Sequence, residues 1–315
     1  MSFESVEKIA AAILYEGYIL YPYRPTAVKN RQRWNFGTLY PQMYAEAQRP
    51  LETFRLVVEC LVVTAGEATL DVKIRALQLV RPPTAPSVTG RDLMDPSLAW
   101  DEAVERAWVH SDLRWKDLIA RPFGAELMLE DGSGEGLRGE LRVVAEKLED
   151  GVCKLRVEVA NTTAVSGGAE RRDALLRSFV SAHVLLGMHG GQFVSLLEPE
   201  ERFGELVAGC RNEGVFPVLV GEEPERSMML CSPIILYDYP KIAPESEGDF
   251  FDGTEMDEML TLRVLTLTDE EKQEMRNGDA RARRILERTE SLTEEAMLKA
   301  HGVVRGLREM REEGR

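Results

Sequence analysis

Residues 137–160 read LRGELRVVAEKLEDGVCKLRVEVA, two alternating apolar segments on either side of an Asp150-Gly151 pair. An Asp-Gly pair between such runs marks a tight β-hairpin, because the reversal needs positive φ angles that glycine adopts without steric cost. Leu137 to Leu148 and Val152 to Val159 are therefore expected to pair. Val157 and Val159 take the covered face, and Arg156 and Glu158 the other. An antiparallel sheet is the framework this segment sets.

Upstream, Phe54 to Val63 and Thr69 to Val80 are rich in Val, Leu and Ile. In the second run Leu70, Val72, Ile74 and Ala76 alternate with Asp71, Lys73 and Arg75, so the two are expected to form a hairpin turning at Ala65-Gly66-Glu67, part of a half-buried sheet. A polar, proline-rich stretch from Pro82 to Pro96 leads to an expected helix over 98–119, with Trp100, Val104, Trp108 and Trp115 sharing one face. Near the start, Val6, Ile9, Ala10 and Ile13 have the spacing of an amphipathic helix over 5–15.

Downstream, NTTAVSGGAE at 161–170 is small, polar and glycine-rich, the expected boundary between units 1–163 and 169–315. Beyond it, 171–188 reads as a helix with Leu175, Phe179, His183 and Leu186 on one side, stopped by His189-Gly190-Gly191. Pro199 opens a further helix through Val207, and Val215 to Val220 and Met228 to Tyr237 read as buried strands. Thr268-x-x-Glu271 is a capping box opening a helix over 269–289. Ser291-x-x-Glu294 opens another, with an apolar stripe at Met297, Ala300, Val304 and Leu307. The expected class is α+β: antiparallel hairpins packed with helices in two structural units, the second ending in helices.

The 315 residues carry 39 Lys and Arg against 54 Asp and Glu, a formal charge of −15. That sign disfavours nucleic acid or an anionic membrane as the main partner. No segment has the 18 or so uninterrupted apolar residues of a spanning helix, and the first residues have acidic groups where a signal peptide has basic ones. A soluble, cytoplasmic protein without membrane insertion is expected. Cys60, Cys153, Cys210 and Cys231 are far apart in apolar segments, as buried free thiols are.

Walker A, Gly-x-Gly-x-x-Gly, Gly-x-Ser-x-Gly, His-Glu-x-x-His and Cys-x-x-Cys patterns are all lacking in the sequence, so no metal or cofactor is expected. Arg24, Lys29, Arg31 and Arg33 stand together without an acidic neighbour, among Tyr18, Tyr21, Tyr23 and Trp34. They fit either a small-anion site or a solvated basic loop paired with the acidic C-terminal segment. His183 and His189 fit either an acid or base role, or a core histidine and a helix stop. Asp252, Glu255, Asp257 and Glu258 gather carboxylates without the spacing of a calcium loop, and read as a solvated turn or helix start.

Three stretches, YEGYILYPYRPTAVKNRQRWNFGTLYP at 15–41, FFDGTEMDEMLTLRVLTLTDEEK at 250–272 and DARARRILERTESLTEEAMLKAHGVVRGLR at 279–308, resemble an uncharacterised protein family. The family is encoded in bacterial gene clusters for uptake nickel-iron hydrogenases, especially the high-affinity kind. The resemblance implies a part in making, assembling or supporting the hydrogenase, with its subunits or maturation proteins as partners. It implies no reaction and no ligand residues. A non-catalytic accessory protein is the first expectation. An enzyme or anion binder using the basic aromatic loop 21–34 is the alternative, and a structural subunit forming a homo-oligomer the third.

Overall fold

The computed structural model describes residues 3–15, 21–23, 36–80, 101–129, 136–149, 151–241, 257–277 and 280–292. The chain divides into two compact units, residues 1–18 with 32–241, and residues 19–31 with 242–315.

The first unit opens with helices α1 (Glu4–Leu14) and α2 (Gln42–Ala47), followed by strands β1 (Arg55–Val80) and β2 (Glu102–Arg114). Helix α3 (Trp115–Ala120), strands β3 (Phe123–Met128), β4 (Arg138–Glu149) and β5 (Val152–Asn161), and helix α4 (Arg171–Leu175) come next. Strand β6 (Val180–Phe193), a 3-10 turn (Glu201–Phe203), α5 (Gly204–Ala208), β7 (Phe216–Leu219) and β8 (Met228–Ser232) complete it. All strand pairs are antiparallel, in the order β3-β4-β5-β1-β6-β8-β7 with β2 also on β1, and the sheet is nearly closed.

The β4–β5 hairpin forms as its sequence requires, with Gly151 at φ +75° and Val157 opposite Val143. The hairpin expected within 54–80 does not. β1 is one strand of 26 residues. Its first half pairs with β5, its second half pairs with β2 along the same edge, and β6 runs along the other edge. At Ala65-Gly66-Glu67 the chain bulges instead of reversing. From Thr64 to Thr69 β1 advances five residues while β6 advances only two, from Gly191 to His189. A strand flanked on both edges can expel surplus residues as a bulge without losing its direction.

The helix expected over 98–119 is instead β2 followed by the short α3. Val104 and Trp108 are four apart, a spacing that lies on one face of a strand as well as of a helix. The helix expected over 171–188 is likewise confined to α4, and the rest is β6. β6 lies between β1 and β8 and is buried on both faces from Val180 to Met188, which erases the period-two signal. The boundary expected at 161–170 falls inside the first unit, because β5 and β6 both pair with β1 across that connection.

Residues Leu56, Val58, Cys60, Val62, Leu70, Val72 and Ile74 of β1 face the main core with Trp115, Val143, Val157, Phe179 and Met229. Where β2 and β3 meet, side chains close the sheet. Trp108 donates from Nε1 to the Met128 carbonyl at 3.4 Å and lies 5.3 Å from the Phe179 ring, and His110 packs on Phe123. The opposite face of β6, β7 and β8 is covered by α1 through Phe3, Val6, Ala10 and Ile13. Asp71, Lys73 and Arg75, expected on a solvated face, are thus covered as well; Asp71 is 2% and Arg75 5% exposed.

In the second unit, α6 (Asp257–Leu265), α7 (Asp269–Asn277) and α8 (Ala280–Ser291) bury Leu260, Val264, Met275, Ile285 and Leu286. The Thr268 capping box is present in both directions, with Thr268 N–H to Glu271 at 3.0 Å and Glu271 N–H to Thr268 Oγ1 at 3.2 Å. The single helix expected over 269–289 is two, since the Asn277-Gly278 pair, whose Asn277 ends α7, favours helix termination. The second capping box and the stripe 297–307 lie outside the described residues.

Candidate functional site

Asp71 sits where β1 and β2 lose register, while it stays paired with Gly187 of β6, a few residues from the β1 bulge. On the β2 side the pairing skips between Leu70 and Val72, and Asp112 takes φ +56° to absorb the extra residue. This turn aims the Asp112 N–H at Asp71 Oδ1, 2.8 Å away. On the β6 side His189 Nε2 lies 3.2 Å from Asp71 Oδ2. The Asp71 side chain is 3% exposed and that of His189 is 40% exposed. Burial alone raises a carboxyl pKa, but hydrogen bonds to the carboxylate, that of the Asp112 amide foremost, hold Asp71 below the usual carboxylate range. A buried carboxylate therefore sets the orientation of a half-exposed imidazole, the relation that steadies catalytic and ligand-holding histidines.

The β1 bulge leaves a pocket of about 310 Å³ beside this imidazole. Glu67, Thr69, Arg114, Lys116, His189 and Gly190 line it. Gly190 has φ +73°, and a Cβ there would stand 2.5 Å from the Glu67 carbonyl oxygen, so only backbone fits where β6 passes the bulge. The Thr64 hydroxyl fixes this crossing with a 2.9 Å bond to the Gly190 carbonyl. Arg114 is tied to Asp117 at 2.6 Å. A second pocket of about 410 Å³ lies on the other side of Arg114, between the ends of β2 and β3, with Asp117, Arg121 and Phe123 in its wall.

His183 is a core residue. It is fully buried, and its Nδ1–H donates to the Ser181 carbonyl at 3.0 Å. Burial pushes its pKa down to about 4, so the ring is neutral at pH 7. Its cross-strand partner Arg75 bonds Glu7 of α1 at 3.1 Å and Glu105 of β2 at 3.0 Å, and Lys73 also pairs with Glu7. These charges fasten α1 and β2 to the sheet. Glu59 does the same elsewhere, accepting from Arg156 at 2.7 Å and from the Arg211 N–H at 2.8 Å.

Of the candidate anion-binding and acid or base residues, the structure brings His189 to a described pocket, as part of β6 and not as a helix stop. Arg24, Lys29, Arg31 and Arg33 lie outside the described residues, as do Asp252 and Glu255. Asp71, Arg114 and Lys116 were not singled out. Asp71 was hidden by the alternation that assigns it to solvent, and Arg114 and Lys116 by the helical reading of their segment. All four cysteines are free, and burial pushes the thiols of Cys60, Cys231 and Cys210 up, that of Cys210 to about 11. Among the described residues no group of three or more His, Cys, Asp or Glu is arranged to hold a metal, and no helix is long and apolar enough to cross a membrane.

No protein-family model matches this chain, and no curated protein matches it.

Proposed function

We propose that this chain is a non-catalytic accessory protein that acts in the cytoplasm and assists the assembly, maturation or support of a nickel-iron uptake hydrogenase through protein contacts. The link to the hydrogenase comes from the resemblance of the stretches 15–41, 250–272 and 279–308. The structural observation supporting contact with a partner is an apolar lip beside β7. After β8 the chain runs from Ser232, opposite Phe216, to Tyr239, whose N–H reaches the Leu219 carbonyl at 2.7 Å. Along it Ile234 and Leu236 pack inward, while Ile235 is 73% and Tyr237 61% exposed, next to an exposed Phe216. Apolar side chains gathered at one edge are what a protein partner covers.

Affinity capture of the tagged full chain from its host, read by mass spectrometry, tests this reading. A hydrogenase subunit or maturation protein is expected with the wild type and is expected to be lost with Ile235→Asp and Tyr237→Asp, which alter exposed side chains. Failure to recover any such protein, together with unchanged hydrogenase activity after deletion of the gene, overturns it. The alternative, anion binding by the loop 21–34, is tested by neutralising Arg24, Lys29, Arg31 and Arg33 together.

A further inference from the structure

We propose that the pocket opened by the β1 bulge binds a small oxyanion, a carboxylate or phosphate group held by Lys116, Arg114 and His189. This goes beyond the accessory role and does not depend on it.

The cavity, about 310 Å³, is in the size range of small-molecule sites. Its cationic side is built from two directions. Arg114 ends β2 and Lys116 follows in α3, while His189 comes from β6 across the sheet. Arg114 is oriented by Asp117, and a guanidinium with five N–H donors can serve that carboxylate and a ligand together. Among the described residues Lys116 has no carboxylate partner. His189 is held from beneath by Asp71, which is itself anchored by the Asp112 amide.

Two bulges converge on this arrangement, one in β1 and one in β2, and bulges commonly re-aim side chains at functional sites. The bare backbone of Gly190 keeps the wall open where any side chain would strike Glu67. The lining carries two permanent cations against one carboxylate, Glu67, which favours an anion over a cation. Glu67 also gives the proposal an opposite-signed test, since its charge opposes the ligand.

The experiment is calorimetric titration of the full chain with inorganic phosphate and, separately, acetate at low salt, with the His189 ring followed by NMR. Saturable binding that shifts the His189 ring is expected. Lys116→Ala should weaken it by about tenfold or more, Glu67→Gln should strengthen it, and Lys154→Ala, on β5, should leave it unchanged. Preference for phosphate identifies a phosphoryl ligand, and equal or better binding of acetate identifies a carboxylate. Lys116 is exposed, so its variant is expected to keep the wild-type circular dichroism and to report binding alone. No saturable binding of either anion, binding indifferent to Lys116 and Glu67, or a His189 ring that does not respond overturns the proposal.

Discussion

Asn161 shows how much of this fold hangs on single polar groups. Its side-chain Nδ2 donates to the Leu39 carbonyl at 2.8 Å and the Arg177 carbonyl at 2.9 Å, and its Oδ1 accepts the Thr163 N–H at 2.9 Å. The residue is fully buried, so Asn161→Ala takes the side-chain partner from the Arg177 carbonyl and the Thr163 N–H and leaves the Leu39 carbonyl only its bond from the Phe179 N–H. A loss of about 2–4 kcal/mol is expected in denaturant unfolding, larger than truncation of an exposed amide. Gly190 makes the complementary case, in which the missing side chain is the requirement. Gly190→Ala places a methyl 2.5 Å from the Glu67 carbonyl at a φ of +73°, and neither backbone yields readily. A loss of at least about 2 kcal/mol is expected, with chemical shifts in 64–69 disturbed more than those in β4. Unchanged stability in either variant would show that the surrounding backbone relaxes more easily than its bonding implies.

At the scale of elements, the sheet is held closed between β2 and β3 by side chains, chiefly Trp108 with Met128 and Phe179. Trp108→Ala removes both contacts, and a loss of about 2 kcal/mol is expected, less than for a fully buried tryptophan because Trp108 is half-buried. Amide exchange should rise in β3, the free edge, and stay slow in β5; equal exchange in both would mean the seam does not depend on Trp108. The same elements show what the sequence can disclose. The β4–β5 hairpin was legible because its signal is local, a turn pair between alternating runs. Helix α1 and the Thr268 cap were legible for the same reason. β1, β2 and β6 were not. Whether Ala65-Gly66-Glu67 reverses or bulges depends on β6, more than a hundred residues away in sequence, and the spacing of Val104 and Trp108 suits both helix and strand. The candidate pocket is made by these same elements, so among its candidate acid or base and cationic groups only His189, distinctive by residue type, is legible in the sequence.

For the molecule as a whole, His183, His110, Glu59 and Asp71 point to loss of stability in acid, whereas Glu52, whose carboxyl pKa burial raises, works the other way. His183 titrates at about 4 in the folded chain and near 6.5 when unfolded. Between those values the unfolded chain takes up a proton that the folded chain refuses, so folding stability falls as pH drops from 6.5 to about 4, by at most about 3 kcal/mol. Arg75 disfavours a proton on His183 while Glu7 favours it, and burial outweighs both. His110, lowered by its own burial, adds in the same direction. Glu59 and Asp71 have folded pKa values below their unfolded ones, so their contribution is present above the ordinary carboxylate range and is lost as pH falls through the folded values. Exposed carboxylates act oppositely, because protonating them relieves the self-repulsion of a chain with a charge of −15. The two trends separate by mutation. His183→Leu should flatten the decline in urea midpoint between pH 6.5 and 4 while leaving the steeper fall below it, and Glu59→Gln should do the reverse. If His183→Leu kept the wild-type slope across that window, the buried ring would have to be exchanging protons with solvent in the folded chain, and its place in the closed core between β1 and β8 would be wrong.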